Sequence, residues 1–323
     1  LVNGYLKSAA FPQPIEKVQL DMTAKNEGGK TEQTVIDLNN FDFTLDGEAF
    51  ECAAHIKNLD NITYDAKAKG TIDLAKMTKI FPLVGMSLSG RLKADITTSG
   101  QMSDIDAGRY DKLLTSGKMQ LQDFLYTSAE YPQGVKIATA RMDFDSKAMK
   151  ICNMNGFLGK SDMKLDGYVQ NYIAYIFKDE TLKGNFNLSS STFDANEWLP
   201  VDDTVPSEQS TPQVDEEPAV IPVNLDFVFR SDIGILKYEN MLMTNFKGII
   251  SLKNGVATME QLKFNMLGGS VDANGSYDAR NAMSPAYTFN MDLKNIRVAE
   301  AYRTFNTIQK LAPVAEKLDG HFS

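Results

Sequence analysis

A two-residue hydrophobic period, returning along most of the chain, restricts the fold more than any other feature. In "PVNLDFVFRS", Val223, Leu225, Phe227 and Phe229 fall on one side, and Asn224, Asp226 and Arg230 on the other, with Val228 the exception. "KVQLDMTAK" sets Val18, Leu20, Met22 and Ala24 against Gln19, Asp21 and Thr23. "GRLKADITT" sets Leu92, Ala94 and Ile96 against Arg91, Lys93 and Asp95. "AYTFNMDLKN" sets Tyr287, Phe289, Met291 and Leu293 against Thr288, Asn290 and Asp292. Such strands have one dry face and one wet face. Strands buried on both sides of a parallel sheet would read as unbroken apolar runs. The expected fold is mainly β: a long, curved, twisted, mostly antiparallel sheet, an open groove or half-barrel, with a few short α-helices.

Turn signals separate the strands at Glu27-Gly28-Gly29, Asp46-Gly47, Asn254-Gly255 and Gly268-Gly269, with Asn254-Gly255 the clearest hairpin. Gly275, inside a strand, predicts a bulge or bend. Helical spacing is confined to short stretches. "RVAEAYRTFNTIQKLAPVAEKL" carries Val298, Tyr302, Phe305 and Ile308 at steps of three and four, with a break expected at Pro313. "DLAKMTKIFPLV" predicts a shorter helix, stopped near Pro82. "DANEWLP" predicts one turn capped by Asp194, and "DIDAGRYDKLLTSG" another short helix.

Three of these helices sit in strand–helix–strand settings, which points to an internal repeat. The hairpins "MNGFLGKSDMKLDGYVQ" and "FNMLGGSVDANGSYDAR" share an outline, with Leu158-Gly159 answering to Leu267-Gly268. "VDDTVPSEQSTPQVDEEPAV" is rich in proline and acids and reads as a disordered linker over 201–220. It divides a β-rich repeat region, 1–200, from a second one, 221–323. Because it interrupts one repeat unit, a continuous sheet is favoured over two independent domains.

Little here can do chemistry. A nucleophile needs a base within hydrogen-bond reach. The chain has two histidines: His321, near the last residue, and His55, which reads as a surface residue of a strand. "GFLGKS" imitates a phosphate-binding loop but has Met154 where that loop needs glycine, and it leads into a strand. Asp143 and Asp145 share a side and read as decoration of the wet face. No metal site, cofactor or catalytic residue is expected, and two carboxylates suited to sugar chemistry are not evident. The net charge of −9 and the absence of a basic cluster argue against nucleic acid as partner. Cys52 and Cys152 read as small hydrophobes rather than a bridge.

No run of 18 apolar residues is present, so no helical membrane span is expected. The opening "LVNGYLKS" reads as mid-strand and the closing "KLDGHFS" as the start of a strand, as if cut from a longer chain. What remains is the apolar face, rich in Met and Phe. The helices are too few to cover so many strands, which predicts an open groove suited to acyl chains. Its candidate lining is Val18, Leu20, Met22, Leu92, Ile96, Val223, Leu225, Phe227, Phe229, Tyr287, Phe289, Met291 and Leu293. The competing expectation is a closed core in a scaffold or adhesion-type module that binds protein through its loops.

Three stretches carry a family resemblance: "STFDANEWLP"; the segment from Ile221 to Asn281, with its outline of Asn254-Gly255-Val256, Gly268-Gly269 and Gly275-Ser276-Tyr277-Asp278; and "LKNIRVAEAYRTFNTIQKLAPVAEKLDGHFS". Together they resemble the AsmA-like family, over 182–323 well and over the first half weakly. The resemblance implies a non-enzymatic Gram-negative envelope protein in the periplasm, tethered to the inner membrane by an N-terminal segment outside this sequence. It implies a part in outer-membrane biogenesis, with phospholipid or another acyl-chain lipid carried along a β-groove, and envelope proteins as possible partners. It supplies no catalytic residues.

Overall fold

The computed structural model describes residues 1–7, 14–80, 83, 85–129, 132–198, 221–281 and 284–323. The linker expected over 201–220 and the helix stop expected at Pro82 lie outside them. The fold is mainly β, as the two-residue period requires. In chain order the elements are β1 (Gly4–Leu6), β2 (Ile15–Asn26), β3 (Thr34–Leu45), β4 (Glu48–Lys57), β5 (Thr63–Asp73), α1 (Leu74–Ile80), β6 (Met86–Gln101), α2 (Met102–Asp106) and β7 (Leu114–Ser128). They continue as β8 (Val135–Asp145), β9 (Ala148–Leu158), β10 (Ser161–Gln170), α3 (Tyr172–Lys178), β11 (Leu182–Asp194), β12 (Leu225–Tyr238), β13 (Met241–Lys253) and β14 (Val256–Met266). The last are β15 (Gly269–Asp278), β16 (Ala286–Lys294), β17 (Ile296–Arg297), α4 (Val298–Thr304), α5 (Asn306–Leu311) and β18 (His321–Phe322). Two compact units share the chain: Leu1–Gly159 with Leu165–Lys183, and Lys160–Lys164 with Gly184–Ser323. Within each unit, sequence-adjacent strands hydrogen-bond in chain order.

The first unit has almost no core. Its buried apolar residues, among those described, are Val18, Leu113, Ala140, Ile173 and Ala174. Cohesion comes from the strand ladders and from side chains paired across them. On the wet face, neighbouring strands oppose Glu51, Lys69, Asp95, Lys118, Asp143 and Lys150 in that order, so charge alternates from β4 to β9. A one-residue slip of any strand would bring that row onto the dry face, which fixes the register. Bulges bend the strands locally. Lys17, Asp123 and Asn153 have φ of 52°, 48° and 50°, and each bulge increases the local twist.

The second unit contains a parallel pair within the mostly antiparallel sheet. Phe186 stacks on Phe229, a Cβ on Gly234 would lie 2.7 Å from the Ser191 carbonyl, and Asn196 exchanges hydrogen bonds with the Glu239 backbone. The offset stays at 43 residues, so β11 and β12 run the same way. Parallel neighbours need a crossover connection rather than a tight turn. The sequence read the span between these two strands only as the interruption of a repeat unit.

The repeated hairpin is genuine, with a different alignment. The bulge residues Asn153 and Gln261 have φ of 50° and 54°. Their N–H groups donate to Asp166 (2.6 Å) and Asn274 (2.8 Å), thirteen residues on in both cases. The turns are Gly159-Lys160 and Leu267-Gly268, so Gly159 matches Leu267, one residue away from the match of like letters. Gly269 therefore lies in β15 rather than in the turn. The bulge expected at Gly275 sits opposite, on β14, where the register shifts between Met259 and Leu262. Strand-to-helix steps repeat as well. Asp73 in "TID" accepts the Lys76 N–H, and Asp194 in "TFD" accepts the Asn196 N–H. The C-terminal helix breaks at Phe305 as well as before Pro313. The short helix expected over 104–117 is only partly formed: α2 runs from Met102 to Asp106, a single 3-10 turn follows at Tyr110–Lys112, and Leu114–Gly117 already belong to β7. Helix α3 carried no clear sequence signal: its apolar run Tyr172–Phe177 has strand-like composition, and the left-handed residues Asn171 and Asp179 delimit it.

Asp162 ties the start of β10 to the end of β11. Burial pushes its carboxyl up, but the N–H groups of Ser191 and Thr192 and the Ser190 and Ser191 side chains outweigh this and hold it below the ordinary 3.8. A lowered folded value means the contribution is complete above 3.8 and is lost as pH falls through that lower value. Asp162→Ala should therefore reduce stability at neutral pH and flatten the acid limb of a pH–stability curve. An unchanged acid limb would show that these bonds do not stabilise the folded state.

Candidate functional site

Directly opposed residues share a face, so the pairing register traces the dry side of each unit. In the first unit one row runs Leu20–Phe41–Cys52–Ala68–Ile96–Gly117–Phe144–Met149 across β2 to β9. Beside it lie Phe43–Phe50–Gly70–Ala94–Met119–Met142–Ile151 and Ile72–Leu92–Leu121–Ala140. On the other flank are Met22–Leu38–Ala54–Ala66. Most of these side chains are half-buried, and Met22 is 53% exposed. Helix α1 lies against β5 and β6, and Tyr172 of α3 meets the Phe144 ring edge-on, with centroids 6.4 Å apart. The dry face of this unit is an apolar trough.

Glycine and phenylalanine shape its floor. Phe50 opposes Gly70, and Phe144 opposes Gly117. A Cβ on either glycine would come within 2.4 Å and 2.8 Å of those rings. The ring thus lies flat over the bare backbone of the next strand. The same device recurs in the second unit, where Phe289 lies over Gly275, leaving 2.6 Å for a Cβ. Gly275 therefore serves ring packing across a strand pair.

The second unit is sealed at one end and open at the other. The sealed end is a cluster of Ile233, Met243, Phe246, Leu262, Phe264, Val271, Ala273, Ile296 and Ala301, backed by Phe305 and Ile308. Helices α4 and α5 thus cover the dry face there. The open end carries Phe229–Ile250–Met259–Gly275–Phe289 and Phe227–Leu252–Ala257–Tyr277–Tyr287. Tyr287 is 79% exposed and Phe289 53%. Phe186, Phe227 and Phe229 form a ring cluster with centroids 5.1–6.0 Å apart.

The candidate lining divides accordingly. Leu20, Met22, Leu92 and Ile96 line the first trough, and Leu225, Phe227, Phe229, Tyr287, Phe289 and Met291 lie on the open dry face of the second unit. Three positions differ from expectation. Val18 is buried against the β1 strand, opposite Gly4. Leu293 opposes Val271 and packs on the sealed cluster. Val223 lies in a turn, because Pro222 has no N–H for a ladder and β12 begins only at Leu225. The sequence reading missed Phe41, Phe43, Phe50, Met119, Phe144 and Met149. The alternation in "FDFTLDGEAF" carried a signal for the first three; bulges obscured the period in β9.

The polar residues singled out in the sequence fall into local pairs and caps. His55 Nδ1 contacts Asp37 Oδ1 on the wet face, a structural pair. Asp145 caps the turn after β8 by accepting the N–H groups of Lys147 and Ala148, which hold its carboxyl below the usual range. Asp143 lies between Lys118 and Lys150. "GFLGKS" forms the end of β9, a turn and the start of β10. Among the described residues no three metal-ligating side chains gather. Cys52 and Cys152 are both free thiols. Burial, and then the nearby Asp42 carboxylate, push the Cys52 thiol up. No family model, curated protein or solved structure matches the chain.

Proposed function

We propose that the chain is a non-enzymatic lipid-binding protein whose dry sheet face holds the acyl chains of phospholipid. The observation that carries the reading is the row from Leu20 to Met149, apolar on eight successive strands and half-buried, not sealed, along most of its length. A contiguous exposed apolar surface of this kind marks a binding site. Acyl chains suit it because it offers length without polar anchors, and its Met and Phe side chains adapt to irregular ligands. The resemblance to the AsmA-like family adds the setting: the periplasm, an inner-membrane tether and lipid delivery in outer-membrane biogenesis. The test is solvent extraction of protein purified without detergent, followed by mass spectrometry. Phospholipid in stoichiometric amount is expected. No lipid, together with no uptake from added vesicles, would remove the proposal.

The sealed cluster under α4 and α5 favours a second reading for that end of the second unit, a closed core whose loops bind protein. It predicts that an acyl-chain photoaffinity probe added to the full chain labels none of Ile233, Phe246, Phe264 and Val271.

A further inference from the structure

The dry face of the first unit changes character at one place. Continued across β6 and β7, the row Met22–Leu38–Ala54–Ala66 runs on to Thr98 and Thr115. Each threonine lies two residues from the row of Ile96 and Gly117, so both are on the trough side. Beside them Tyr64 opposes Gly100, and its hydroxyl lies 3.3 Å from where a Cβ on that glycine would sit. The dry rows contain no charged residue.

These hydroxyls are not fully used. Thr98 Oγ1 and Thr115 Oγ1 are 2.8 Å apart. One O–H donates in that bond, and the other has no acceptor among the described residues. Tyr64 has no hydrogen-bond partner among them either. Ser146, next along the row, is committed: its Oγ accepts the Thr115 N–H at 3.0 Å and donates to the Leu113 carbonyl. A threonine pair can stabilise a ladder by itself, but its spare donor then needs water. All three side chains are half-buried. A lipid lying in the trough would displace that water, and leaving a donor unpaired weakens binding about tenfold. The ligand that avoids this loss carries acceptors at that end and hydrocarbon beyond it. From Thr98 to Leu92, and from Thr115 to Leu121, the floor stays apolar for about 20 Å at about 3.4 Å per residue. That exceeds the roughly 15 Å that one leaflet adds to a bilayer core of about 30 Å.

We propose that the spare O–H of the Thr98–Thr115 pair and the O–H of Tyr64 donate to the two ester carbonyl oxygens of a bound diacyl glycerolipid. The trough thereby selects ester-linked acyl chains and fixes their direction, from the hydroxyls toward Leu92 and Leu121. Phosphate finds no cation in the dry rows and stays in solvent. The proposal rests on the lipid-binding reading of the trough and adds a chemical preference to it.

The test offers delipidated full chain an equal mixture of two phosphatidylcholines in vesicles, ester-linked and ether-linked, with the same chain lengths. Mass spectrometry of the recovered protein should show the ester lipid enriched about tenfold, the effect of a hydrogen bond made or lost. The triple variant Thr98→Val, Thr115→Val, Tyr64→Phe keeps the shape of the floor. It should take up both lipids equally, with the circular dichroism unchanged. If it folds poorly, Tyr64→Phe alone should still lower the enrichment. Equal uptake of both lipids by the native protein, or enrichment that survives in the folded variants, would overturn the proposal and leave the trough reading standing. Uptake of neither lipid would overturn both.

Discussion

Ile96→Asp should lower the phospholipid recovered from purified protein by about tenfold or more, with the circular dichroism unchanged. Ile96 lies mid-row, between Ala68 and Gly117. A carboxylate there would have to lose water to acyl chains or hold them away, and tenfold in affinity needs only about 1.4 kcal/mol. The fold should tolerate the change because the side chain is only half-buried. Asp95→Asn is the matching control, one residue away on the wet face. Equal lipid recovery from Ile96→Asp and the native protein would mean that any bound lipid sits elsewhere.

Phe264→Ala should destabilise the second unit by about 3–5 kcal/mol, the usual cost of deleting a buried aromatic side chain. Phe264 is 8% exposed, stacks on Phe246 with centroids 5.8 Å apart and opposes Val271. It lies under the region covered by α4 and α5, so both helices should lose protection from hydrogen exchange. Phe289→Ala, on the same face at the open end, should cost far less, since its ring is 53% exposed and packs mainly on Gly275. Urea unfolding of the two variants separates the cases. Similar losses would mean that the dry face has one character throughout and is not divided into sealed and open parts.

Much of the fold was legible because its governing signal is local. The alternation in Leu92, Ala94 and Ile96 specifies a strand and its dry side without knowledge of any neighbour. Asn254-Gly255 specifies its hairpin because both residues accept positive φ, here 50° and 76°. Features that depend on distant partners were not legible. The parallel pairing of β11 with β12 depends on which strands meet after a long connection. The burial of Leu293 depends on α4 folding back over it, which its own alternation does not encode. Bulges were hidden for another reason: Asn153 and Gln261 adopt positive φ without glycine, capped by Asp166 and Asn274.

The candidate site was half legible. Sequence identified a one-sided apolar surface but not its floor, where Gly70 and Gly117 meet rings from neighbouring strands and Ala54 meets Ala66. Only the register reveals that Phe144 lies over Gly117, or that Cys52 falls in the same row as Ile96.

That cysteine offers the most direct test of an open, lipid-filled trough. With Cys152 replaced by serine, Cys52 is the sole thiol and lies on the trough floor between Phe41 and Ala68. Delipidated protein should react with a small maleimide, and phospholipid vesicles should slow that reaction about tenfold, corresponding to about 1.4 kcal/mol of protection. A labelling rate that is the same with and without phospholipid would contradict the account.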